Sequence, residues 1–118
     1  MPPHVVIAID EAGFAERMMP LLAVLGCDVT TFADPMVAWD ALEASQVDLL
    51  ITCPDFDGEK PSGVALARSA RVKWPGVKVI FFGEPTMEEY TADLGQLMAT
   101  PVALADAMLS AAAALDTR

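Results

Sequence analysis

An acidic pair, Asp10-Glu11, closes the β-branched run Val5 to Ile9, and a second acidic group, Asp55, Asp57 and Glu59, follows the apolar run Leu49 to Thr52. Clustered carboxylates repel one another, and a hard cation such as Mg²⁺ relieves the repulsion by taking oxygen ligands. Asp10 and Glu11 are thus candidate Mg²⁺ ligands; the plainer reading has them facing a helix N-terminus and water. The Asp-x-Asp-Gly string at 55–58 is too short to define a calcium loop, and Asp and Gly serve turns for conformational reasons. Cys53 stands between the strand and this loop. A reactive thiol needs a base or cation to lower its pKa, yet the one histidine is His4 and the nearby charges are carboxylates. An enzyme or redox role for Cys53 is therefore a remote alternative to a small residue at the core edge. Cys27 and Cys53 have no CxxC spacing and read as buried thiols, not as a disulfide or zinc site.

The elements that hold these residues follow from apolar spacing. Val5 to Ile9, Val29 to Phe32, Leu49 to Thr52, Val77 to Phe82 and Gln96 to Ala99 read as strands, the first as a continuous run buried on both faces and the third as a buried strand. Phe14, Met18, Leu21, Leu22 and Leu25 recur at helical spacing, with Gly26 as a stop and Pro20 as an interior kink or break. Asp34-Pro35 supplies an N-cap and a first-turn proline for a second helix reaching about Ala44. Ser62 can cap a third helix ending near Trp74, before Pro75-Gly76. Thr86 and Glu89 have the spacing of a capping box for a short fourth helix stopped by Gly95. A fifth helix over 102–115 carries Leu104, Ala105, Met108, Leu109, Ala112 and Leu115 at helical spacing. Trp39 and Trp74 read as helix-packing aromatics, and Arg68, Arg71 and Lys73 as a solvated basic face able to receive an acidic partner. Strand and helix alternate without repeat or composition break, which predicts one α/β domain over 1–118, a right-handed doubly wound parallel sheet with helices on both faces and no output domain. The crevice of such a sheet lies at the strand carboxyl ends, which is where Asp10, Glu11, Cys53, Asp55, Asp57, Gly83 and Thr100 fall.

Composition narrows the function. The chain of 118 residues has 17 acidic and seven basic side chains and a net charge of −10, which repels nucleic-acid backbones and anionic lipid alike. Its apolar runs are far shorter than the roughly 20 residues of a membrane helix, and Met1-Pro2-Pro3-His4 lacks the features of a secretory signal. A cytoplasmic protein without nucleic-acid or membrane partners is expected.

Five segments in one order carry a family resemblance. Val6-Ile7-Ala8-Ile9-Asp10-Glu11 and Leu25-Gly26-Cys27-Asp28-Val29 come first, and Val47-Asp48-Leu49-Leu50-Ile51-Thr52 follows. Gly63-Val64-Ala65-Leu66-Ala67 and Thr100-Pro101-Val102 complete the set. Over nearly the whole chain the sequence resembles the receiver domain of response regulators. The resemblance implies a CheY-like, flavodoxin-like fold with five parallel strands in the order 2-1-3-4-5, here with a shortened fourth helix. In that family an aspartate accepts a phosphoryl group, while Mg²⁺, a lysine and a hydroxyl donor assist. Carried onto this sequence, the acceptor's place falls on Cys53, the hydroxyl's on Gly83, the switch aromatic's on Leu97 and the lysine's on Thr100; of the acidic pocket, Asp10 and Glu11 remain. The resemblance is thus to a degenerate receiver without its phosphoacceptor.

These readings give a leading expectation: a non-enzymatic signalling module of a two-component pathway or phosphorelay that docks a partner without phosphorylation. A histidine kinase or another signalling protein, or a second copy, would bind the face of helix four, strand five and helix five. The alternative is a phospho-switch in which Asp55 or Asp57 replaces the acceptor and Asp10 and Glu11 hold Mg²⁺.

Overall fold

The computed structural model describes residues 2–55 and 62–116. Strands β1 (His4–Ala8), β2 (Asp28–Phe32), β3 (Leu49–Thr52), β4 (Lys78–Gly83) and β5 (Gln96–Ala99) alternate with helices α1 (Ala12–Val24), α2 (Pro35–Ala44), α3 (Ser62–Lys73), α4 (Glu88–Thr91) and α5 (Leu104–Asp116). The sheet is parallel throughout, in the order β2-β1-β3-β4-β5. Val5 to Ala8 and Leu49 to Thr52 are fully enclosed because helices cover both faces. On one face α1 and α5 lay Phe14, Met18, Leu22, Ala107 and Ala111 over Val5, Ile7, Ile51 and Ile80. On the other, α2 and α3 lay Ala38, Leu42, Leu66, Ala67 and Ala70 over Val6, Leu50 and Phe81.

Local signals explain most element ends. The Asp34 carboxylate accepts the Met36 N–H at 2.8 Å, capping α2 ahead of Pro35 at its first turn. Gly26, at φ +87°, makes the left-handed turn that ends α1. The carboxylate of Asp48 accepts the His4 N–H at 2.8 Å, which pins the start of β1 beside β3.

Several expectations need correction. Strands β1 and β4 are shifted by one residue from the apolar runs. The Thr86–Glu89 capping box is not used: a 3-10 turn, Pro85–Met87, precedes α4, whose N-cap is Met87, and no side chain caps either element. Helix α5 starts at Leu104 and turns Ala107 and Ala111 to the sheet, while Ala105 and Leu109 face outward, Leu109 with 70 % exposure. On an alanine-rich helix the apolar period does not single out one face; the closest packing does, and it selects the small pair four residues apart. Arg71 is not part of a solvated face, since its guanidinium donates to the Leu94 carbonyl and joins α3 to the segment before β5. The Ser62 side chain, expected as the α3 cap, and the loop residues 56–61, including Asp57 and Glu59, lie outside the described set.

Both tryptophans pack against the core as expected, and Trp74 does more. Its indole N–H donates to the Leu42 carbonyl at 2.7 Å, one of the last four carbonyls of α2 that have no partner within the helix. Trp74→Phe should keep the packing and lose this bond, lowering stability by about 1–2 kcal/mol in urea unfolding monitored by circular dichroism.

Candidate functional site

The carboxyl ends of β1, β3 and β4 and the start of α5 enclose one cleft, as an open parallel sheet dictates. Asp10, Glu11, Cys53, Phe82 and Thr100 line an open hollow of about 450 Å³, together with Phe14 and Arg17 from α1. A neighbouring hollow of about 310 Å³ shares Asp10, Cys53 and Thr100 and adds Pro54, Asp55, Gly83 and Glu84. The structure therefore gathers Asp10, Glu11, Cys53, Asp55, Gly83 and Thr100 at one end of the sheet. Leu97 lies behind them, partly buried against the α2–α3 side of the core.

Cys53 occupies the centre. Its Sγ–H donates to Asp10 Oδ1 at 3.7 Å. Burial, and then the Asp10 and Glu11 charges, push its pKa up from 9.0 to about 12 despite an opposing backbone hydrogen bond. The thiol is thus protonated at neutral pH and makes a poor nucleophile and a poor metal ligand. Gly63, at the start of α3, lies so close to Cys53 that a Cβ there would sit 1.5 Å from the Cys53 carbonyl oxygen. No side chain fits, and α3 is thereby pressed against the end of β3.

Beside Cys53, Pro54 is buried and its ring occupies the space in front of Gly83. A Cβ at Gly83 would fall 2.8 Å from Pro54 Cγ and 2.9 Å from Cδ, closer than carbon atoms tolerate. Missing side chain and filled space are one arrangement: a hydroxyl-bearing residue at 83 has no room while Pro54 stays. The Thr100 N–H donates to the Gly83 carbonyl at 3.0 Å, and the Thr100–Pro101 peptide is cis. Thr100 contributes a neutral hydroxyl where a cation would be needed to draw in an anion.

As oxygen donors for a cation, the cleft offers the exposed carboxylates of Asp10 and Glu11, with a protonated thiol next to them. Among the described residues no group of three or more His, Cys, Asp or Glu side chains is arranged to hold a metal ion. Mg²⁺ can rest on one or two carboxylates when water or phosphate oxygens complete its shell. The donor set thus fits a weakly held, largely hydrated Mg²⁺ on Asp10 and Glu11.

Arg17, Pro54 and Phe82 escaped the sequence reading. Arg17 carries the cation of the cleft wall; its guanidinium carbon lies 5.4 Å from the centroid of the Phe14 ring, which meets Phe82 edge to face at 5.5 Å. The three-residue step from Phe14 to Arg17, one helical turn after Glu11, was the available signal. Nothing in the sequence pairs Pro54 with Gly83, because that contact joins two different strand ends.

No protein-family model matches the sequence, and no curated protein is detectably similar to it. Solved structures are similar in fold. A CheY-like response regulator receiver domain protein from Methanospirillum hungatei JF-1 matches 99 % of this chain and 96 % of that chain at 17 % identity, with a TM-score of 0.84. A response regulator receiver protein from Sinorhizobium medicae WSM419 matches 98 % of this chain and 95 % of that chain at 19 % identity, with a TM-score of 0.83. The receiver domain of a sensor histidine kinase from Pseudomonas aeruginosa PAO1, with a magnesium ion coordinated in its active-site cleft, matches 98 % of this chain and 99 % of that chain at 18 % identity, with a TM-score of 0.75. The chain has the receiver fold, a doubly wound five-stranded parallel sheet with CheY-like topology.

Two outcomes follow from the cleft. In the folded chain, alkylation of Cys53 by iodoacetamide at pH 8 should be slower than after unfolding by on the order of a hundredfold or more, read by peptide mass spectrometry. Because the folded pKa is raised from 9.0 to about 12, the stability tied to this thiol is complete below pH 9 and is lost as pH climbs toward 12. Second, Gly83→Thr should destabilise by about 1–3 kcal/mol, and adding Pro54→Ala should recover much of that loss in a double-mutant cycle, since the two side chains compete for one space.

Proposed function

We propose that this chain is a receiver-like signalling module of a two-component pathway that acts by binding a protein partner without being phosphorylated. The observation that carries the reading is the state of the cleft centre: a partly buried, protonated Cys53 thiol bonded to Asp10 stands at the place the resemblance assigns to the acceptor aspartate. A neutral thiol cannot form the acyl phosphate that a carboxylate forms. The other three matched positions support the same reading. Gly83 has no hydroxyl and no room for one, Thr100 has no charge, and Leu97 has no polar tip to reorient. A Cys53 enzyme is disfavoured by the same raised pKa, and we take the module to be non-enzymatic.

For the partner we favour the face of α4, β5 and α5, where Leu109 is 70 % and Tyr90 47 % exposed. A histidine kinase, another signalling protein or a second copy would bury these side chains there. No helix among the described residues is long and apolar enough to cross a membrane. The acidic balance disfavours nucleic acid and anionic lipid, and a cytoplasmic location is part of the proposal.

A second reading has one observation behind it: Asp55 shares a hollow with Asp10 and Glu84 and could accept a phosphoryl group beside Mg²⁺ on Asp10 and Glu11. Asp57, the other substitute, falls outside the described residues. Intact-mass spectrometry after incubation with Mg²⁺ and acetyl phosphate decides between the readings. The mass should not change. A phosphoryl adduct that disappears in Asp55→Ala or Asp57→Ala would establish the relocated acceptor and overturn the phosphorylation-independent reading.

A further inference from the structure

We propose that the groove between α2 and α3 binds an acidic amphipathic helix of a protein partner, at a surface separate from the cleft and from the face of α4, β5 and α5. The two helices share the core residues Leu42, Ala67 and Ala70, and between them lies a hollow of about 580 Å³ lined by Trp39, Leu42, Arg68, Ser69, Val72 and Lys73 together with Glu43. Val72, an apolar residue of its wall, is 83 % exposed to solvent. A channel between two packed helices is the shape into which the apolar ridge of a third helix fits.

Charge selects the occupant. In a chain of net charge −10, α3 alone among the five helices has no acidic side chain, and it carries three of the seven basic ones. Arg71 is turned inward to the Leu94 carbonyl, so Arg68 and Lys73 are the outward pair, and both stand on the groove wall beside Val72. The opposite rim holds Glu43, whose carboxylate accepts the Trp39 indole N–H at 3.2 Å and keeps the ring at the groove. A helix lying here meets an apolar floor, cations on the α3 side and an anion on the α2 side. Its own acidic residues therefore line up along α3. The acidic balance of the rest of the molecule disfavours an acidic helix over most of the remaining surface, which concentrates its binding at this stripe.

The test uses the whole chain and two synthetic helical peptides that share a leucine face at i, i+3, i+4 and i+7, one flanked by glutamates and the other by lysines. In ¹H–¹⁵N NMR titrations the glutamate peptide should shift the amides of residues 39–43 and 68–73 saturably. Its affinity at those residues should exceed that of the lysine peptide by about tenfold. Arg68→Glu with Lys73→Glu should weaken the glutamate peptide about tenfold while strengthening the lysine peptide, and Val72→Asp should weaken both. These positions are exposed, and circular dichroism of each variant is the check that it folds. Equal binding of the two peptides at the groove, or shifts confined to other surfaces, overturns the proposal. So does a concentration-dependent dimer in sedimentation that the Arg68→Glu/Lys73→Glu chain fails to form, because the occupant is then a second copy.

Discussion

Everything in this molecule hangs on the two-sided burial of β1, β3 and β4. Backbone polar groups inside such a sheet find partners only in the neighbouring strands, and here the strands are parallel and covered by helices above and below. Val5 to Ala8 and Leu49 to Thr52 have no exposed surface, and the Thr52 hydroxyl donates to the Ala8 carbonyl at 2.7 Å, removing a polar group that would otherwise be stranded. The carboxyl ends of these strands are the first places where the chain can present polar side chains, and the cleft forms there.

Within the cleft, residues from different strand ends depend on one another. Cys53 is tolerated beside Asp10 because the thiol stays protonated and donates to the carboxylate, avoiding a second negative charge near Asp10 and Glu11. Pro54 fills the space that Gly83 leaves. Thr100 is uncharged, and among the described residues lining this hollow Arg17 is the cation, lying against the Phe14 ring. Cys53 is thus matched to Asp10, and Gly83 to the Pro54 ring.

The surface divides the same way. The outer side of α5 and the end of α4 expose Leu109 and Tyr90, while α3 gathers three of the seven cations of the chain. Two tethers hold α3 in place. Trp74 donates to the end of α2 and Arg71 to the segment before β5, so the helix that carries the basic stripe is fixed on both flanks.

The sequence by itself determined the alternation of strands and helices, the Asp34 cap, the Gly26 stop and the position of Asp10, Glu11, Cys53, Gly83 and Thr100 at strand ends. These depend on periodicities of two and 3.6 and on local hydrogen bonds, all of which act within a few residues. Tertiary structure alone decided which face of α5 meets the sheet, that Arg71 turns inward, that Thr86 and Glu89 do not form a capping box, and that Pro54 and Gly83 compete for one space. It also decided the chemistry of Cys53, whose pKa depends on burial and on a carboxylate 43 residues away in the chain. Such contacts join segments distant in sequence, and their energy depends on distances that only the packed sheet defines.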